Sequence, residues 1–80
     1  MLFFIERRYS VNVNTVYKNK TVSINIPVIL YDIDEETIPV ILKRVTEWVD
    51  KTGIKLSNVE YISHQLLSTH QILIPLQKTN

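Results

Sequence analysis

Thr21–Leu30 reads TVSINIPVIL, and the proline inside it decides which strands of the chain lie at a sheet edge. Val22, Ile24, Ile26 and Val28 alternate with Ser23, Asn25 and Pro27. Such alternation, rich in β-branched residues, predicts a half-buried strand. Tyr9, Val11 and Val13 alternate in the same way with Ser10, Asn12 and Asn14. Between the two runs lies YKNKT, where Asn19 tolerates the left-handed backbone of a tight turn.

The register follows from parity. The apolar face is odd-numbered before the turn and even-numbered after it, so paired residues must sum to an odd number. A Lys18-Asn19 loop pairs Val13 with Ile24, Val11 with Ile26 and Tyr9 with Val28. An Asn19-Lys20 loop keeps the faces equally well, but it places Pro27 in a hydrogen-bonded pair with Asn12. There the missing N–H breaks the ladder. The first loop sets Pro27 opposite Ser10 in a non-bonded pair, with its absent donor turned outward. That register is favoured, and it makes the second strand an edge.

The pentapeptide IPVIL recurs at Ile38–Leu42 in different company. DIDEET precedes it, with carboxylates suited to a helix N-terminus and Asp34 or Thr37 as cap. Ile38, Ile41, Leu42, Val45, Trp48 and Val49 form one apolar stripe at helical spacing. Pro39 suits the first turn, and Gly53, the one glycine, suits the left-handed C-terminal position. A helix is expected from about Glu35 or Ile38 to Thr52.

Asn58–Gln77, NVEYISHQLLSTHQILIPLQ, reads as a second hairpin around a Ser68-Thr69 loop, with strands at Val59–Leu67 and His70–Leu76. Val59, Tyr61, Ile72, Ile74 and Leu76 then share a face, and Pro75 opposes Ile62 at a non-bonded position. With both proline-bearing strands at edges, the expected fold is α+β. It is a ββαββ chain forming one four-stranded antiparallel sheet of order 2-1-3-4, with the helix on one face.

Composition narrows the function. Eighty residues with 45% hydrophobic and 21% charged content describe one small globular domain rather than a disordered chain. The absence of cysteine excludes disulfides and thiolate metal sites. A net charge of +1 gives no strong pull toward nucleic acid and excludes an acidic DNA mimic. The opening MLFFIERRY has too short an apolar run for a secretory signal, and no stretch nears the roughly 20 residues of a membrane span. A cytoplasmic protein without membrane association is expected. Alanine is absent while isoleucine occurs eleven times, and asparagine and lysine six times each. That bias points to an AT-rich gene of the kind carried by viruses and mobile elements.

Candidate sites divide by chemistry. His64 and His70, with Glu60 nearby, are metal-ligand types, but the hairpin puts the two histidines on opposite faces. Asp32, Asp34, Glu35 and Glu36 lack the spacing and glycine of a calcium loop and fit a helix N-terminus. No nucleophile–base pair, phosphate loop or zinc set occurs, so neither catalysis nor a cofactor is expected. Arg7, Arg8, Lys18 and Lys20 with Tyr17 offer a basic, aromatic hairpin to single-stranded nucleic acid. The more informative feature is an excess of apolar residues. Phe3, Phe4, Ile29, Tyr31, Ile62, Leu66 and Leu73 exceed what one helix-covered face needs, and an exposed apolar patch marks an association surface. The expected function is a non-enzymatic protein-binding module. It is expected to be a homodimer that also meets another protein, with an inhibitory or accessory role in a virus or mobile element. Nucleic-acid binding through the first hairpin is the alternative.

Overall fold

The computed structural model describes residues 2–75. Strands β1 (Leu2–Tyr17) and β2 (Lys20–Tyr31) form an antiparallel hairpin. Its register is the one that Pro27 selects: Val13 faces Ile24, Tyr9 faces Val28 and Ser10 faces Pro27. Lys18 and Asn19 both take positive φ, 50° and 64°, the two left-handed positions of a type I′ turn. At the other end Asp32 N donates to Ile5 O at 3.0 Å, so odd residues of β1 aim their backbone groups at β2. Pro27, opposite an even residue, therefore leaves no rung broken.

Helix α1 spans Ile38–Thr52. Thr37 occupies the N-cap position in extended conformation but makes no side-chain cap, and Pro39 lies in the first turn. Gly53 ends the helix at φ 73°, where its N–H donates to Val49 O. Asp34, the other expected cap, instead fastens the loop. Its carboxylate accepts from Tyr31 N at 2.8 Å and from Arg44 Nη2 at 3.3 Å. The helix lays Ile41 and Val45 on Tyr9, Val11, Val13, Ile26, Val28 and Leu30, all at most 3% exposed.

The expected second hairpin does not form. Ser57–Ile74 is one strand of 18 residues, β3, paired with β1 along its length. Among the described residues the sheet has three strands in the order β2-β1-β3, which makes them ββαβ rather than ββαββ. Ser68 and Thr69 face Arg8 and Arg7 in the ladder, and Pro75 follows the strand instead of opposing Ile62. Leu76, placed in the expected fourth strand, lies outside the described residues.

The physical reason is the length of β1. Its pairs with β2 stop at Glu6, and Leu2–Ile5 extend further. A continuous β3 pairs the whole opposite edge, whereas a short hairpin would leave much of that backbone without partners. β3 sets 18 residues against the 15 from Leu2 to Val16, and the three extra residues are absorbed at three register shifts. Ile62 and Leu67 have no partner on β1, and Asn58 takes φ 52° beside the third shift. Each is a bulge, which inverts parity as a turn would. The shifts at Ile62 and Leu67 cancel between Tyr61 and Ile72, so Tyr61 faces Val13 on the helix side while Ile72 and Ile74 face Phe4 and Leu2 on the other, and the single face expected for Tyr61, Ile72 and Ile74 does not form.

At about 3.4 Å per residue the 16 residues of β1 reach about 54 Å, and the molecule measures 57 × 24 × 18 Å. Beyond the end of β2, Leu2–Ile5 and Gln71–Ile74 continue as a two-stranded arm.

Candidate functional site

Three surfaces carry the candidate residues. The first is a polar clasp where β1, β3 and the loop before α1 meet. Arg7 and Tyr9 lie on the helix side of β1, because they share parity with the core residues Val11 and Val13. Arg7 donates to Tyr9 Oη at 3.2 Å, to Tyr31 O at 2.6 Å and to Asp34 O at 2.8 Å. Tyr9 donates its hydroxyl to Glu36 Oε1. The other Glu36 oxygen lies 3.4 Å from His64 Nε2, and His64 Nδ1 is 2.6 Å from Tyr61 Oη. The bond from Tyr9 holds the Glu36 carboxyl below its ordinary range, with His64 and Arg7 adding to the effect. Burial pushes the Tyr9 hydroxyl up, and the carboxylate beside it adds to the shift. Acid, base and cation are adjacent here, but each is spent on a neighbour within the fold. The arrangement fastens a loop.

His64 faces Val11 on the helix side while His70 faces Glu6 on the other, so the two histidines remain apart. Among the described residues no group of three His, Cys, Asp or Glu is placed to hold a metal ion. Nor is any described helix long and apolar enough to cross a membrane.

The second surface is the hairpin tip, with Tyr17, Lys18 and Lys20. Lys18 Nζ stands 5.2 Å from the Tyr17 ring, and a shallow groove between Tyr17, Lys18, Gly53, Ile54 and Lys55 opens beside it. Arg7 and Arg8 do not join this set. They lie about ten residues away, roughly 34 Å along β1. Arg7 is bound into the clasp, and Arg8 pairs with Glu6 at 2.7 Å.

The third surface is the arm, which exposes apolar side chains on both faces. Phe3 and Leu73 are paired on one face, 56% and 55% exposed, while Leu2 and Ile74 pair on the other, 62% and 42% exposed. Phe4 shares the second face with Tyr31, its ring edge-on at 5.3 Å, and with Ile29. Nearer the sheet centre that helix-free face is polar: Ser10, Asn12, Asn14, Ser23, Asn25, Ser63 and Gln65 occupy it, with Ser23 bonded to Asn12. Ile62 and Leu66 stand at bulges on β3, outside this grouping. The expected patch thus divides. Phe4, Ile29 and Tyr31 gather at one end of the helix-free face, and Phe3 and Leu73 lie across the arm from them. Leu2, Ile72 and Ile74 complete the arm and were missed. Their signal was the consecutive apolar runs LFFI and ILI, because a strand apolar at successive positions is apolar on both faces.

No family model matches the chain, and neither do the curated proteins or the solved structures.

Proposed function

We propose that this chain is a non-catalytic binding module that joins a second copy of itself through the apolar arm. One observation carries the reading: a two-stranded extension that is apolar and exposed on both faces. A two-stranded ribbon is marginal in water by itself, and apolar area removed from water contributes about 25 cal/mol per Å². Association supplies the cover that α1, seated over the other end of the sheet, does not. An inhibitory or accessory role in a virus or mobile element fits the same reading, since a module of this kind acts by occupying a partner's surface. The test is light scattering on the intact chain and on Leu73→Glu. A dimer reduced to monomer by the substitution supports the reading, and a wild-type monomer removes it.

A second reading rests on the hairpin tip. Lys18 and Lys55 beside Tyr17, with Lys20 paired opposite it in the ladder, give single-stranded nucleic acid a stacking ring among cations. Binding that falls with salt and with Lys18→Glu and Lys20→Glu would favour it.

A further inference from the structure

β2 and β3 form the two edges of the sheet, and they are built differently. β2 carries Pro27 at mid-strand and Lys20 at its start, both of which blunt an edge. On β3 the segment Ser68–Ile74, STHQILI, has no proline and no Lys, Arg, Asp or Glu. It also lies wholly beyond the register shift at Arg8/Tyr9, so its ladder with β1 is regular. Such an edge is a template for another strand.

The direction of its backbone groups is fixed by a single rung. Because Asp32 N donates to Ile5 O, odd residues of β1 face β2, and alternation turns the even ones toward β3. Ser68, His70, Ile72 and Ile74, which pair with even residues of β1, therefore aim inward. Thr69, Gln71 and Leu73 aim their N–H and C=O groups outward, where no described strand lies.

We propose that this edge takes the same segment of a second copy, antiparallel about a two-fold axis through Gln71. The inference rests on the self-association reading and specifies its geometry. An axis through Gln71 sets Thr69 against the partner's Leu73 and makes every outward residue a member of a hydrogen-bonded pair. About six backbone hydrogen bonds result. An axis through His70 or Ile72 also sets odd residues against odd ones, but it pairs Leu73 with the bulged Leu67 or Thr69 with Pro75, so only about four bonds result within the segment. Because odd residues meet odd ones, the faces are preserved and the apolar surfaces of both arms adjoin. The segment's charge also favours a second copy. It offers nothing to a charged strand, and its own copy brings no like charge against it. Two three-stranded sheets become one continuous sheet.

The chain has no cysteine, so Gln71→Cys introduces a unique thiol. Hydrogen-bonded pairs place Cα atoms about 5.5 Å apart, within disulfide reach. Oxidation is expected to yield a covalent dimer of Gln71→Cys and none of Asn25→Cys on β2. Gln71→Pro removes an outward donor that the fold itself does not use. It is expected to weaken association about tenfold with unchanged circular dichroism. If association persists unchanged in Gln71→Pro and Gln71→Cys fails to cross-link, this edge is overturned while association through the arm's faces stands. A wild-type chain that stays monomeric at millimolar concentration overturns both.

Discussion

Tyr9, buried in the middle of the sheet, donates its hydroxyl to Glu36, which lies just ahead of the helix. The bond ties the loop between β2 and α1 to the central strand, and it makes that attachment depend on charge. The Glu36 carboxyl is held below its ordinary value, chiefly by the Tyr9 hydroxyl and then by His64. A depressed carboxyl stabilises the fold above its unfolded value and loses that contribution as pH falls through the folded one. Stability is therefore expected to decline as pH drops below about 4.5, and Glu36→Gln is expected to flatten that acid limb. Since Glu36 is 45% exposed, water screens the interaction, and the substitution should cost about 1 kcal/mol at neutral pH. At the alkaline end the raised Tyr9 hydroxyl stays protonated in the fold after the unfolded chain ionises. Stability falls there too, as pH rises past about 10. Urea titrations across pH measure both limbs.

Ser68 faces Arg8 inside a continuous strand, with its amide directed at β1. Ser68→Pro should therefore remove a ladder bond and cost about 3 kcal/mol, as proline does when it replaces a bonded donor. A two-residue Ser68-Thr69 loop would also reject proline because its first position takes positive φ, so Ser68→Gly is the discriminating variant: it would stabilise such a loop but should cost about 1 kcal/mol in the strand. Chemical denaturation of that variant distinguishes the two.

This contrast marks where the fold was legible in sequence. Period two in Tyr9–Val13 and Val22–Val28, with one proline to reject the wrong register, specified the first hairpin residue by residue. The helical stripe with Pro39 and Gly53 at its ends specified α1. β3 was not legible because bulges at Ile62 and Leu67 reverse the parity from which strands are read, and Ser-Thr is compatible with either a turn or a strand. The apolar excess was visible, but its division among faces was not. That division depends on which strand pairs with Leu2–Ile5, a long-range fact that local pattern does not contain. The clasp was also hidden, since its Tyr9–Glu36 bond spans 27 positions.

Ile41 is fully buried against the hairpin and is one of only two buried residues on α1. Ile41→Ala should cost about 2–5 kcal/mol through lost transfer energy and the cavity left behind. Native domains are stable by about 5–15 kcal/mol, so the variant should lie near its unfolding midpoint in mild urea. Leu73→Glu, exposed on the arm, should leave monomer stability within about 0.5 kcal/mol. Parallel urea melts of the two variants separate core from association surface.

The central claim is that the arm and its β3 edge are covered by a second copy. Amide hydrogen exchange measured residue by residue over a range of protein concentrations tests it most directly. The inward amides of His70 and Ile72 should be protected by β1 at every concentration. Protection of the outward amides of Thr69, Gln71 and Leu73 should rise with concentration, in step with the fraction of dimer. Outward amides that exchange freely at all concentrations, while His70 and Ile72 stay protected, would contradict the account.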